Sequence, residues 1–492
     1  MNRIIGSFFC LLVTLVTLAQ DNYERFTRDL PFSMQPVAAP VFPETKVVLT
    51  EFGAVGDGQQ LCTEAFAHAI DALVAKGGGH LVVPQGIWLT GPIVLQSNID
   101  LHLEAGAVIM FAADENLYPL VETSFEGVET RRCQSPLSAR NAENIAVTGL
   151  GVIDGNGQYW RPLHRRKLTD SQWKKMTQRT GGVMMRDDYW VPSESYAKGE
   201  NGADMNVPKV RSEAEWNGLK RFLRPVMVSL VECRKVLLQG VVFQNSPAWN
   251  LHPLMCEDMI IDRVLVMNPS YSQNGDALDL ESCRRVLIVD SRFNAGDDGI
   301  CLKSGKNEDG RRRGRPCEQV VVDGCTVFSG HGGFVVGSEM SGGVRNIMVR
   351  NCQFLGTQVG LRFKSTRGRG GVVENIFIDG VSMTDIETYA LTFNMYYRGK
   401  SVAEVLAEGL EEEDVQPAPV DETTPVFRNI DIRNVCCNNA LLAMEFNGLP
   451  EMPIDNIRLK NIKIVAEHDA VFKYCKNIVR ENVTIQIEKA KD

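Results

Sequence analysis

Short runs of apolar, largely β-branched residues recur along most of the chain, separated by polar turns that carry glycine or asparagine. The first apolar position of each run falls at Val236, Met259, Val286, Val320, Ile347, Ile376, Ile430, Ile457 and Ile478, in steps of 21 to 34 residues apart from one step of 54. Repeats of that length, built of strands that cannot bury an apolar face alone, predict a parallel β-solenoid in which one turn of chain stacks on the next. Stacked turns lie about 4.8 Å apart, so a residue at a fixed offset stands directly over its equivalent one turn away. Ahead of the repeats, Thr63 to Leu73 has helical spacing of its apolar positions and Gly77-Gly78-Gly79 closes it. A solenoid needs such a cover over its open end. The expected fold is all-β, a parallel β-helix with a small N-terminal capping helix.

Three stretches fall outside this pattern. Residues 1–19 carry Arg3, an apolar run from Ile4 to Val16 and then Thr17-Leu18-Ala19, the plan of a signal peptide whose apolar run is too short for a stable anchor. Export to the periplasm or the extracellular space is expected, and no later segment approaches 18 uninterrupted apolar residues. Residues 20–45 read as an N-terminal extension, and 46–492 as a single β-helix domain interrupted by an insertion at about 156–224. That insertion holds Trp160, Trp173, Tyr189, Trp190, Tyr196 and Trp216 together with Arg161, Arg165, Arg166 and Lys167.

With 44% hydrophobic and 23% charged residues in 492, the chain has ample material for a core. A net charge of −9 argues against nucleic acid as a partner. Of the 13 cysteines one lies in the leader, and Cys233, Cys256, Cys283, Cys325 and Cys352 recur at similar places in successive repeats. A ladder of small, buried, unbonded side chains accounts for them. With no Cys-x-x-Cys pair and no histidine cluster at ligand spacing, neither a metal nor another cofactor is expected.

Chemistry concentrates between Asn274 and Lys364. Asn274-Gly275-Asp276, Gly296-Asp297-Asp298-Gly299, Gly330-His331-Gly332-Gly333 and Arg362-Phe363-Lys364 occupy successive copies of the repeat. Aligning Ser282 with Ser304 places Asp276 over Asp298, and counting from the strand markers Val286 and Val320 makes Asp297 and His331 neighbours. Arg362 and Lys364, two residues apart, project from one face of one strand. Asn-Gly and Asp-Gly are ordinary turn residues. Adjacent aspartates leading into the apolar Ile300-Cys301-Leu302, however, repel each other and gain nothing structurally. The combination suggests acid–base chemistry on an anionic substrate.

These motifs, in this order, resemble those of glycoside hydrolase family 28, the polygalacturonase-like enzymes: Asn-x-Asp, Gly-Asp-Asp, Gly-His-Gly and Arg-x-Lys. The resemblance runs from Glu51-Phe52-Gly53-Ala54-Val55-Gly56-Asp57-Gly58 to about Ile478. It departs at Gly275, where Thr is frequent, at Gly299, where Cys is frequent, and at Phe363, where Ile is usual. It implies a right-handed parallel β-helix and a pectin hydrolase that cleaves galacturonosyl linkages with inversion in a single displacement. Asp297 would be the general acid, Asp276 and Asp298 would hold the water, and His331 would support the protonation cycle of Asp297. Clustered like charges should raise at least one carboxyl pKa. Asn274, Arg362 and Lys364 would bind substrate, the two cations taking a uronate carboxylate, with Arg311, Arg312, Arg313, Arg315, Arg367 and Arg369 as further members of a basic patch. Tyr389, Tyr396 and Tyr397 lie one turn on, so one of them could touch substrate. The partner expected is an acidic poly- or oligosaccharide bound by a monomer. Aromatics of the insertion could stack on sugar rings or simply pack, and an insertion beside the active turns would suit exo action. A hydrolase of rhamnogalacturonan or decorated galacturonan, a β-helix pectate lyase and a silent sugar-binding solenoid are the alternatives.

Overall fold

The computed structural model describes residues 23–204, 207–397 and 416–488. Residues 1–19, and the acidic run Glu411 to Asp414 expected to form a solvated loop, lie outside them. Two long sheets carry the architecture, one of 21 strands and one of 11, and the turns of chain wind between them. Successive markers stand in parallel register: Val236 on Met259, Val286 on Val320, Ile347 on Ile376 and Ile457 on Ile478. The step of 54 is a single turn, with Ile376 directly on Ile430.

The residue before each marker turns the chain with a positive φ, from Lys235 (52°) and Asp258 (56°) through Arg285 (54°) to Asn429 (55°) and Asn456 (54°). This left-handed conformation costs most L residues about 1–2 kcal/mol, and asparagine tolerates it best. The late turns use asparagine, and the side chains bond along the stack, Asn456 Nδ2 donating to Asn429 Oδ1 at 2.8 Å. The earlier turns offset the strain with charge: Arg285 grips both oxygens of Asp258 at 2.7 Å.

Inside the coil the apolar rows close-pack. Phe363, Phe393, Phe446 and Phe472 form a continuous stack with centroid spacings of 4.2, 4.6 and 4.8 Å. Phe363 therefore departs from the family's Ile because it opens an aromatic column. All described cysteines are free. Six of them form two ladders rather than the single one expected, because the flanking registers put Cys233, Cys256, Cys283 and Cys317 in one row and Cys325 with Cys352 in another.

Helix α1 (Thr63–Val74) caps the open end by burying Phe66, Ile70 and Leu73, and the Gly78 amide closes it on Leu73 O at 2.8 Å. The N-terminal segment is less separate than the sequence suggests. Tyr23, Phe26 and Val37 lie over Ile260, Leu287, Val321 and Met348, an apolar stripe on the outside of the coil. Tyr23 Oη also donates to Asp262 Oδ2 at 2.8 Å.

Hairpin strands β1 (Leu120–Phe125) and β2 (Val128–Cys133) leave the coil antiparallel to each other. The 11-stranded sheet then presents β3 (Leu251–Leu254), β4 (Leu278–Glu281), β5 (Asp298–Lys303), β6 (Gly332–Val336) and β7 (Val359–Lys364) as consecutive neighbours. A short helix, α2 (Asn307–Arg313), follows β5.

Candidate active site

Pairing of Leu278 with Ile300 sets Asp276 against Asp298, and the Ala277 amide donates to Asp298 O at 2.9 Å. Pairing of Asp298 with Gly332 sets Asp297 against His331, whose Nδ1 lies 2.9 Å from Asp297 Oδ1. From β7, two strands away, Lys364 Nζ reaches Asp298 Oδ2 at 2.6 Å and Arg362 Nη1 reaches Asp298 Oδ1 at 3.4 Å. All six groups read from the stacking arithmetic therefore meet. One oxygen from each of Asp276, Asp297 and Asp298 falls within 4.8 Å of the others, close enough to hold a cation between them.

The two glycine departures are packing consequences. A Cβ on Gly275 would stand 1.8 Å from Ser272 Oγ, and one on Gly299 would stand 2.7 Å from Val327 Cγ1. Neither the family's Thr nor its Cys has room here.

The electrostatics divide the carboxylates. Burial, then the charges of Asp279 and Asp297, push the Asp276 carboxyl well above the usual range, and its Oδ1 has no bonded donor. Asp279 is pushed up to about 8 by burial, against the pull of Lys303. Burial would also raise Asp297 and Asp298 but is outweighed. His331, Lys167 and Lys364 hold Asp297 well below the ordinary range, and Lys364 with Arg362 holds Asp298 low. Asp276 and Asp279 are thus raised chiefly by burial, with neighbouring carboxylates adding to it, whereas the cations around Asp297 hold it down.

Several charged neighbours of the patch escaped the sequence reading. Lys303 lies 2.9 Å from Glu339, 3.4 Å from Asp279 and 4.4 Å from the Trp249 ring centroid. Glu281, fully buried, accepts from His252 Nε2 at 2.8 Å and Arg313 Nη1 at 2.5 Å. A signal was present: in Leu278-Asp279-Leu280-Glu281 and Ile300-Cys301-Leu302-Lys303, polar residues alternate with core positions, which turns them onto the same outer face as Arg362 and Lys364.

Other candidates have different employment. Asn274 accepts from Arg224 Nη2 at 2.7 Å and donates to Glu126 Oε1 at 3.1 Å, so it anchors the hairpin tip beside the patch. Arg311 bonds the carbonyls of Gly368 and Arg369, Arg312 pairs with Glu129, Arg315 with Glu232 and Arg367 with Glu451, while Arg369 bonds Asn307 and Ser338 O. The wider basic patch therefore ties loops together. Tyr389 is buried, whereas Tyr397 faces Arg362 and Lys364 at 5.6 and 5.1 Å from its ring centroid. In the insertion, Trp160, Trp173, Tyr189, Trp190 and Tyr196 are core residues and Trp216 packs on the core edge. From the insertion Lys167 contributes a charge beside Asp297, donating to Gly296 O at 3.2 Å.

The hairpin β1–β2 is held from both sides of the sheet. On one side Glu126 meets Asn274 and Arg132 bonds Phe222 O. On the other, the Lys306 amide bonds Gly127 O at 3.0 Å and the Glu129 amide bonds Asp309 of α2. Phe125 stacks on Trp249 at 5.5 Å. The hairpin therefore roofs the floor just N-terminal of the aspartates.

Residues 211–442 match the sequence profile of glycosyl hydrolases family 28. A hyperthermoactive exopolygalacturonase from Thermotoga maritima is 31% identical, with a TM-score of 0.74 over 94% of this chain and 96% of that one. The family 28 exopolygalacturonase of Yersinia enterocolitica shares the fold at 20% identity and a TM-score of 0.69, over 90% of this chain and 76% of that one. A probable polygalacturonase of Vitis vinifera is 28% identical over 427 residues, 85% of this chain and 73% of that protein. Likeness at this level along nearly the whole chain, with the four motifs converging on one patch, makes this protein a glycoside hydrolase belonging to family 28.

Proposed function

We propose that the protein is an exo-acting polygalacturonase that removes single galacturonate units from the non-reducing end of a galacturonan, with inversion. The observation that carries this reading is the pairing of an acid with a fixed cationic pair on a floor roofed at one end. Asp297 keeps 22% of its side chain exposed, while Asp298 keeps 1% and Asp276 as a residue 3%. Only Asp297 opens toward a substrate, which suits the general acid. Arg362 and Lys364 are buried cations aimed into the same patch and match a uronate carboxylate, for which charge-assisted hydrogen bonds are strong. The names carried by the Thermotoga and Vitis proteins support the substrate class.

A general acid must hold a proton when the bond breaks, yet the surrounding cations keep Asp297 ionised at rest. An arriving uronate resolves this by bringing a negative charge beside Lys364, which weakens the hold of the cations on Asp297 and favours its protonated carboxyl. The leaving oxygen takes that proton, and a water held by Asp276 and Asp298 attacks from the opposite face, giving up its own proton to the ionised carboxylate of Asp298. Carboxylates this close together ordinarily indicate retention, since inverting pairs stand about 6.5–9.5 Å apart. Here neither partner of Asp297 suits a nucleophile: Asp276 favours its neutral form, and Asp298 is clamped by two cations. Both can still orient a water.

The roof formed by β1–β2 supports exo action, because a polymer cannot run on past Trp249. Residues 1–19 support export, which would bring the enzyme to polymeric pectin. Size analysis of the first products from oligogalacturonides tests the reading. Monomer from the first minutes is expected, and a ladder of mid-sized oligomers would overturn exo action.

A further inference from the structure

Lys167 ends a short turn, Arg165–Lys167, that the insertion builds deliberately. The Arg165 amide bonds Asp188 O at 2.8 Å, Leu163 pairs with Trp190, and Leu163, Trp173 and Trp190 form a core against which Leu168 and Tyr271 pack. Arg165 is exposed and pairs with Asp170. Lys167 instead turns inward, with Nζ on the carbonyl of Gly296, the residue before Asp297. Lys167 thus comes in beside Asp297 from the insertion, whereas the direct contacts of Arg362 and Lys364, reaching in from β7, are to Asp298.

A glycosidic bond inside a polyuronate joins two sugars, each with its own carboxylate. One cationic pair serves one of them, and the second lies on the other side of the scissile oxygen. We propose that Lys167 binds the carboxylate of the terminal uronate, the sugar being released, while Arg362 and Lys364 hold that of the next. The proposal rests on the exo-galacturonase reading and adds to it a specificity residue that belongs to the insertion rather than to the coil. It gives the insertion a role in choosing the substrate, beyond backing the hairpin.

The test compares tri-galacturonate with an analogue whose non-reducing terminal carboxylate is reduced to the alcohol, for the parent, Lys167→Met and Lys167→Arg. A hydrogen bond between charged partners corresponds to about 10- to 100-fold in kcat/KM. The parent should lose that factor on the analogue. Lys167→Met should lose it on the acid and little more on the analogue, and Lys167→Arg should keep most of the parent's preference. Thermal melting checks that Lys167→Met folds like the parent. Equal losses by Lys167→Met on both substrates would overturn the proposal and leave the exo reading intact. A parent that does not cleave tri-galacturonate would overturn the substrate reading itself, and the proposal with it.

Discussion

Asp279 is fully buried, neither of its oxygens has a bonded donor, and its nearest cation, Lys303, approaches to 3.4 Å without aligning a hydrogen bond. Its carboxyl ionises near the ordinary 3.8 in the unfolded chain and at about 8 in the folded one. The stability that this group contributes is fully present below the lower value and is lost as pH rises through the upper. Asp279→Asn removes the titration, so the variant's melting temperature relative to the parent should climb between pH 5 and pH 9. A pH-independent difference would contradict the raised value. Asp297→Asn is the complementary case, since it keeps shape and removes the exchangeable proton. Activity should fall about 10²-fold or more while binding of oligogalacturonide persists, measured by kinetics and calorimetry. Turnover within a few-fold of the parent would remove Asp297 from the role of acid. Asp276, Asp297, Asp298 and His331 were legible because stacking turns residue numbers into neighbours. The protonation state of Asp297 was not, since Lys167 reaches it from more than a hundred residues away in sequence.

Among the elements, the hairpin β1–β2 shows how a segment of ordinary composition is placed beside the site through its contacts. Alternation along Leu120 to Cys133 resembles another turn of the coil, and nothing local says that Glu126 will meet Asn274 or that Gly127 will bond Lys306. The long insertion has the composition expected of a blocking element, but its aromatics pack in its own core and behind the hairpin. Replacing the tip, residues 124–129, with a two-glycine link should uncover Trp249 and shift early products toward longer oligomers, read by chromatography. An unchanged product pattern would mean that the roof does not set chain-end action. The N-terminal strap makes a separate prediction. Phe26→Ala should lower stability by about 3 kcal/mol, the low end for truncating a buried aromatic, and depress the melting temperature without changing the product pattern. A variant that melts with the parent would mean that the strap is not part of the folded unit.

At the scale of the whole molecule, two sheets built of repeats fix the height of every functional group along the coil, and the excursions decide what reaches them. The repeat positions were readable from Val236 onward, including the turn from Ile376 to Ile430 that spans 54 residues, whereas the earlier turns through Leu101 and Val147 were not marked. The excursions carry no period, so their landing places had to come from three dimensions. What the assembled site does with a glycosidic bond is the central question, because the spacing of the carboxylates and their charge states argue for opposite stereochemical outcomes. Proton NMR of tri-galacturonate during the first turnovers, faster than mutarotation, answers it directly. Newly released galacturonate from an α-linked chain is expected as the β anomer, with the shortened chain as the only other product. Release of the α anomer would mean a covalent intermediate on Asp276 or Asp298 and would contradict the single displacement.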